Sequence, residues 1–199
     1  MEDNKIAKGI GSAIKFILTA ALFIFIGAFV FRMCQSSYKG LEDTVVTPAF
    51  KDAYAVSNDV RTHAVNDEFS ENGAVYAYSL VYIEEGGYLQ LSVRYNKRHI
   101  DEVILSYPDF KESDISYVLV DEGGNTYKPT VIDELEKYNY HYFKLEFTGV
   151  DFSQKTLSVK MILGNIDINV GDKSTLAVHR QDDTYIPFTL TDEMKSQLK

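Results

Sequence analysis

The chain has 199 residues, with 14 Tyr and 12 Phe but no Trp and only 4 Pro. This composition favours β-strands over disorder, and the length allows one domain with a hydrophobic core. The formal net charge of −9 argues against nucleic acid as the main partner, because an acidic surface repels phosphates. The single cysteine, Cys34, excludes an intrachain disulfide and a zinc site built from cysteines.

The first element is a long apolar segment near the N-terminus. Residues 16–31 are uncharged, and extending the segment back over Lys15 to Ile10 gives 22 positions. At about 1.5 Å per residue these reach about 33 Å, enough for a hydrocarbon core of about 30 Å. A cleaved signal usually has a shorter apolar run followed by small residues, whereas this run ends in FRM. We therefore expect a retained transmembrane helix at 10–33.

Charges beside this segment predict its orientation. Three lysines precede or enter it, whereas Arg32 and Lys39 follow it together with acidic residues. Because Lys and Arg concentrate on the cytoplasmic side, we expect residues 1–9 in the cytoplasm and the rest of the chain outside, in a single-pass protein of the cell membrane. The bulky FRM before Cys34 does not fit a lipoprotein signal. The chain has no N-x-[ST] sequon, which agrees with a bacterial extracytoplasmic protein.

A short stalk with one helix is predicted at 34–57. Residues 35–46 are mostly polar and show neither helical nor strand periodicity. Thr47 can cap a helix and Pro48 can occupy its first turn, so we expect a helix near 48–55.

The β-domain is predicted at 58–190, and its clearest element is a hairpin. In YLQLSVRY, apolar and polar residues alternate, which is typical of a strand with one buried face. The preceding AVYAYSLVYI, at 74–83, predicts its partner, and the EEGG at 84–87 predicts the turn.

Further strands follow at intervals of roughly 10–15 residues, and HIDEVILSYPDF is consistent with either a helical turn or a strand. Seven or eight short strands without alternating long helices predict an antiparallel, immunoglobulin-like β-sandwich, so the chain is expected to be mainly β. Residues 191–199 are expected to form a frayed helix or a tail. The strands beyond the hairpin are predicted at 115–120, at a short return strand ending at Pro129, and at 140–147, 156–163, 174–180 and 184–190.

The segments YVLVDEGGNTYKP and FKLEFTGVDFSQKTLSVKM resemble the immunoglobulin-like modules of Gram-positive surface proteins and lipoproteins. The shared features are a hydrophobic strand, an Asp/Gly turn and an aromatic Y-x-P, over roughly residues 74–163. The resemblance implies an extracytoplasmic, mostly non-enzymatic module.

No motif in the chain predicts catalysis or a cofactor. The four histidines, His63, His99, His141 and His179, fall on different predicted elements and show no metal-binding spacing. No nucleophile elbow, phosphate-binding glycine loop or dinucleotide fingerprint occurs. We therefore expect no enzyme activity, no metal and no cofactor.

Tyrosine provides the one pattern that resembles a binding site. Two predicted strands each carry three tyrosines at alternate positions, which places each set on one face. Neighbouring stripes on a solvent face would form a platform for sugar rings or a peptide, while the alternative is cross-strand packing that only stabilises the sheet. The candidate ligand-binding residues are Tyr76, Tyr78, Tyr82, Tyr138, Tyr140 and Tyr142.

Together these features favour a membrane-anchored, extracytoplasmic β-sandwich that binds or scaffolds an envelope protein or glycan. One alternative is a structural accessory subunit that acts through its transmembrane helix, whose small residues permit close helix approach. A second alternative is an envelope enzyme, which the absent motifs disfavour.

Overall fold

The computed structural model describes residues 15–31, 43–63, 65, 67–68, 75–137, 139–167 and 175–199. Its contacts divide the chain into two units, Met1–Gly40 and Leu41–Lys199. The first unit contributes helix α1 at 15–31, whose side chains are exposed throughout.

Within the described residues, no helix is both long enough and apolar enough to cross a membrane. The predicted transmembrane helix at 10–33 is therefore wrong, and so is the single-pass membrane localisation that depended on it. Positions 10–14 and 32–33 of that prediction lie outside the described residues.

The second unit contains two antiparallel sheets, with seven described strands in the larger and five in the smaller. In the larger sheet the order is β12-β1-β3-β4-β8-β7, and β2 also pairs with β3. Its strands are β1 Arg61–Thr62, β2 Asp67–Glu68, β3 Val75–Ile83, β4 Tyr88–Asn96, β7 Thr130–Lys137, β8 Tyr140–Thr148 and β12 Ile186–Pro187.

The smaller sheet has the order β10-β9-β5-β6, and β11 also pairs with β9. The chain enters it after helix α3, Lys97–Ile104, and a 3₁₀ turn, Glu112–Asp114. Its strands are β5 Ile115–Asp121, β6 Thr126–Tyr127, β9 Thr156–Leu163, β10 Ile166–Asp167 and β11 Thr175–Arg180.

The main core lies between the two sheets. Strand β4 contributes Leu89, Leu91 and Val93 from one side, while β5 and β9 contribute Leu119 and Val159 from the other. All five side chains are fully buried. Alternation along each strand explains this packing, because every second side chain points to the same face. The two sheets therefore form a sandwich, and the β-rich part of the predicted fold agrees with this arrangement.

A second apolar cluster covers the outer face of the larger sheet. Helix α2, Pro48–Val56, buries Phe50 and Ala53 against Tyr88, and helix α4, Asp192–Gln197, adds Met194. The side chain of Thr47 accepts a hydrogen bond from the Phe50 N–H at 3.0 Å and so caps α2. Both faces of β4 are consequently buried, which is unusual for an antiparallel strand.

A glycine permits the close approach of α2 to the β3–β4 hairpin. A Cβ placed on Gly86 would lie 2.7 Å from the Cβ of Ala53, closer than side-chain atoms approach one another. Gly86 of the predicted EEGG turn therefore provides room for the covering helix, while Gly87, with φ of +59°, provides the turn geometry.

One open prediction resolves to a helix, and one strand was missed. The first half of HIDEVILSYPDF, residues 99–104, lies in α3, whose N-cap Asn96 accepts a hydrogen bond from the Arg98 N–H at 3.1 Å. Strand β7, TVIDELEK, was not predicted, because its mixed charges resemble a loop. Several two-residue strands also raise the number of strands above the predicted seven or eight.

Candidate functional site: a cleft between the two sheets

The predicted tyrosine stripe on β3 is divided by a register shift. Tyr76 pairs with Arg94 on the outer face of the larger sheet, whereas Tyr82 points into the core and is 1% exposed. The shift lies between Ala77 and Ser79, so the strand carries one extra residue there and its later side chains change face. Tyr78 lies at the shift, and its side chain is outside the described part of the structure, as is all of Tyr138.

Three of the six predicted tyrosines do lie together, around Arg94. The Arg94 guanidinium carbon lies 5.1 Å from the ring centre of Tyr76 and 4.8 Å from that of Tyr140. The rings of Tyr140 and Tyr142 are 6.3 Å apart, and Tyr142 is buried at 4% exposure. The ring faces turned toward Arg94 are already occupied by a cation–π contact. This arrangement resembles cross-strand packing more than an open platform.

A polar network is buried beside this face, under residues 43–50. The Glu146 carboxylate accepts hydrogen bonds from the Thr47 hydroxyl and from the Tyr88 hydroxyl, the latter at 2.9 Å. The Gln90 amide donates to the Val45 carbonyl at 3.0 Å and accepts from the Val45 N–H at 2.9 Å. Each of these buried side chains has at least one partner, so the network fastens the covering segment to the sheet.

A second polar network lies at the end of the core near α3. The Tyr95 hydroxyl donates to Glu112 at 2.8 Å and lies 2.9 Å from His141 Nδ1, while His141 Nε2 lies 2.7 Å from Glu134. The order hydroxyl, imidazole, carboxylate resembles a catalytic relay. However, Tyr95 is fully buried, and burial raises the pKa of its hydroxyl well above its usual value. Tyr95 therefore stays protonated and is not accessible as a nucleophile.

A cleft of about 270 Å³ opens between the sheets where β5 and β7 face each other. Its walls include Val131, Phe143 and Leu145 from the larger sheet and Ile115 and Tyr117 from the smaller. Lys128 and Pro129, in the crossover from β6 to β7, also line it. The cleft is therefore mostly apolar, with one cationic side chain in its lining.

Tyr117 is the unusual residue in this cleft. It is 2% exposed, and its hydroxyl is buried without a hydrogen-bond partner among the described residues. Its ring meets Phe143 edge to face, with the centroids 5.8 Å apart. Burial raises the pKa of the hydroxyl well above its usual value, so it remains a neutral donor. An unpaired buried hydroxyl costs about 1–3 kcal/mol, which a ligand that pairs with it would recover.

Gly164 shapes one end of the cleft. Its φ of +64° is in the left-handed region, and a Cβ there would lie 2.2 Å from the Phe110 ring. Glycine is therefore required both by the turn after β9 and by the aromatic ring packed against it.

A larger groove of about 650 Å³ lies between residues 43–46, 188–191 and helix α4. Its lining contains no buried polar atom of the kind seen at Tyr117 among the described residues. The inter-sheet cleft is therefore the stronger candidate for a binding site.

No group of three or more histidine, cysteine or carboxylate side chains within the described residues is placed to hold a metal ion. His63 and His179 come closest to each other, with ring centroids 6.3 Å apart. They pack against Tyr82, whose ring lies 5.1 Å from that of His179.

Sequence reasoning missed the cleft, although one signal was present. In ISYVLVD, alternation places Tyr117 on the same face as Ile115 and Leu119, so its hydroxyl had to enter the core. A tyrosine on the buried face of a strand needs a hydrogen-bond partner, and the described residues supply none to Tyr117.

Comparison with known proteins finds no match to this chain among protein-family models, curated proteins or solved structures. The resemblance to immunoglobulin-like surface modules therefore stays a prediction.

Proposed function

We propose that the protein is a non-catalytic binding module that accepts an apolar group, carrying one hydrogen-bonding atom, in the cleft between its sheets. The observation that supports this most directly is the mostly apolar cleft, whose lining includes Tyr117, a residue with a buried hydroxyl that has no hydrogen-bond partner among the described residues. Ligand sites commonly combine apolar walls with a few placed polar groups. Here the walls supply affinity through burial, and Tyr117 supplies specificity.

The volume of the cleft limits the size of the group. At about 270 Å³ it lies just below the range of about 300–1,000 Å³ that drug-sized ligands occupy. It therefore suits one large side chain or a small ring better than a cofactor. Lys128 in the lining favours a ligand with a negative charge outside the apolar part.

The test uses two small probes, p-cresol and toluene, which differ by a hydroxyl. We expect the full chain to bind p-cresol more tightly, with chemical-shift changes at Tyr117 and Phe143 in NMR titrations. Tyr117→Phe should weaken p-cresol binding about 5- to 10-fold, the worth of one hydrogen bond, and leave toluene binding unchanged.

Tyr185→Phe is the matched control. Tyr185 is 47% exposed, packs on Arg61 and does not line the cleft. It should bind both probes as the parent does. Absence of saturable binding by either probe, or p-cresol binding that Tyr117→Phe does not weaken, would show that the cleft is not the proposed site.

A further inference from the structure

The inner face of the larger sheet continues past the cleft into a group of charged side chains. Leu145 and Phe143 on β8 line the cleft, and alternation makes His141 the next residue of β8 on that face. The His141 ring stacks on Phe143, with the centroids 4.2 Å apart and the planes 29° apart. The imidazole is therefore adjacent to the wall of the cleft. The ionic cluster around it consists of His141, Glu112, Glu134, Glu136 and Lys97.

The ionic cluster holds strand β7, which forms one side of the cleft. Strand β7 is at the end of the larger sheet and, among the described residues, pairs only with β8. Val131 of β7 lines the cleft, and Glu134 and Glu136 lie farther along the same strand. Nε2 of His141 lies 2.7 Å from Glu134. The Lys97 ammonium, from α3, donates a hydrogen bond to Glu136. Two contacts from other elements thus fasten β7.

The hydrogen bonds of His141 require a proton on both ring nitrogens. The Tyr95 hydroxyl of β4 donates its single proton to Glu112 at 2.8 Å, so it accepts from His141 Nδ1, which lies 2.9 Å away. An ionised carboxylate only accepts, so Nε2 donates to Glu134. A neutral imidazole has one N–H and would leave one of these two contacts without a proton. The imidazolium form satisfies both.

Three carboxylates and one ammonium surround this imidazole. Glu134 and Glu136 face it from β7, and Glu112 faces it from the 3₁₀ turn, with an oxygen 3.6 Å from Nδ1. Lys97 lies 3.4 Å from Glu112, and its hydrogen bond holds the pKa of Glu136 below the usual value. A charged His141 gives the ionic cluster two cations against three carboxylates, whereas a neutral ring leaves one cation against three.

Loss of the ring proton removes one hydrogen bond from this arrangement. If Nε2 keeps its hydrogen, the Tyr95 hydroxyl must turn toward Nδ1, and Glu112 loses a donor. If Nδ1 keeps its hydrogen, the Nε2 lone pair faces the Glu134 carboxylate and repels it. In either form, the 3₁₀ turn or β7 is held less firmly.

We infer that His141 gates the cleft according to pH: its imidazolium holds β7 and Phe143 in the binding position, and loss of the ring proton loosens them. This inference rests on the proposed binding function of the cleft. Phe143 stacks on His141 and meets Tyr117 edge to face, so it connects the charged ring to the cleft. A wall that is fixed before the ligand arrives loses less freedom on binding. The protonated form therefore binds an apolar ligand more tightly, and a rise in pH favours release.

The test measures binding of p-cresol and toluene to the full chain at pH 6 and pH 8.5. Toluene does not ionise, a phenol has a pKa of about 10, and burial raises the pKa of Tyr117 above that value. The probes and Tyr117 therefore stay neutral throughout. We expect the affinity for both probes to fall about 3- to 10-fold as the pH rises, the worth of one hydrogen bond. Circular dichroism at both pH values checks that the chain is folded.

His141→Gln is the first variant, because an amide does not titrate but can still donate to Glu134. It should bind both probes equally well at pH 6 and pH 8.5. Glu134→Gln is the second, at a side chain that is 54% exposed. Its amide can pair with either form of the imidazole, so the pH dependence should decrease. His99→Gln, on α3 but outside the ionic cluster, is the matched control and should keep the parent's pH dependence.

NMR of the histidine ring follows the proton itself. At pH 6 both ring nitrogens of His141 should give the ¹⁵N shifts of an imidazolium. Saturating toluene should move the titration of this ring to higher pH, because the coupling between two binding events is reciprocal. A histidine with a structural role alone would titrate at the same pH with and without toluene.

The outcomes separate this inference from the proposed function. If p-cresol binds with an affinity that is equal at the two pH values or rises with pH, the gate is wrong and the cleft function stands. The same holds if His141→Gln keeps the parent's pH dependence. If neither probe binds at any pH, both proposals are wrong.

Discussion

The outer face of the larger sheet and the cleft between the sheets both bury polar side chains, but they differ in how those side chains are satisfied. Under residues 43–50, Glu146 accepts two hydrogen bonds and Gln90 pairs with both backbone groups of Val45. In the cleft, the Tyr117 hydroxyl has no partner among the described residues.

This difference indicates different roles. A satisfied buried network contributes to stability and fixes the position of the segment that covers it. An unsatisfied buried group costs stability and is retained where a ligand or another molecule supplies the missing partner. Two tyrosines, Tyr88 and Tyr117, represent the two cases, since both are almost fully buried on neighbouring parts of the sandwich. Removing each hydroxyl therefore tests the comparison directly.

The largest effect is expected for Tyr88→Phe. The Tyr88 hydroxyl donates to Glu146 at 2.9 Å and accepts from the Gln90 amide at 2.8 Å. Without this hydroxyl, the buried Glu146 carboxylate accepts one hydrogen bond fewer. The free energy of unfolding should therefore fall by about 2–3 kcal/mol. The measurement is urea denaturation followed by tyrosine fluorescence. A fall below about 0.5 kcal/mol, within the range of ordinary surface substitutions, would mean that the network contributes little.

Tyr117→Phe should have a smaller effect of the opposite sign. The substitution removes an unpaired hydroxyl and keeps the ring against Phe143, so the free energy of unfolding should rise by about 1 kcal/mol. The same denaturation experiment, without added ligand, measures it. Loss of stability comparable to that of Tyr88→Phe would show that the Tyr117 hydroxyl has a partner in solution, and the contrast between the two regions would disappear.

The local elements that the sequence predicted best are those whose pattern and ends are both encoded nearby. Alternation in β4 and the EEGG turn predicted the hairpin, and Thr47 with Pro48 predicted α2. Strand β7 was missed because edge strands carry charges that resemble those of loops. The transmembrane span predicted at 10–33 was wrong, because no helix among the described residues is long and apolar enough to cross a membrane.

The candidate site was harder to predict because it depends on relations between distant residues. The cleft exists because β6 ends early and Pro129 directs the chain to the other sheet, and neither event is visible in the local pattern. The tyrosine stripes showed a related difficulty. A one-residue shift in β3 places Tyr82 in the core, and strict alternation could not reveal that shift.

The smallest effect is expected for a second pair of residues with unpartnered buried atoms, His63 and His179. Each has an Nδ1 atom that is buried without a hydrogen-bond partner among the described residues, as Tyr117 has its hydroxyl. Here the rings of Tyr82 and Phe152 enclose His179, with centroids 5.1 and 5.2 Å away. Neither histidine lines the clefts described above, so we interpret both as packed in the neutral form.

Neutral packing predicts a specific dependence of stability on pH. Burial lowers the pKa of both histidines. Asp183 raises both pKa values and Glu84 raises that of His179, but burial has the larger effect. Arg61 lowers the pKa of His179 further. Near pH 6.5 the unfolded chain therefore binds protons that the folded chain does not. Stability falls as the pH decreases from about 6.5 toward the lower pKa values that the two histidines have in the folded chain.

The measurement is the urea midpoint of the parent and of His179→Gln between pH 8 and pH 5. Gln does not titrate, so the variant should lose less stability over this range than the parent. A matched variant at the half-buried histidine of α3, His99→Gln, should keep the parent's slope, because His99 is outside this cluster. Parallel curves for parent and His179→Gln would mean that His179 is not packed as a neutral ring, and its unpaired nitrogen would then require the same explanation as the Tyr117 hydroxyl.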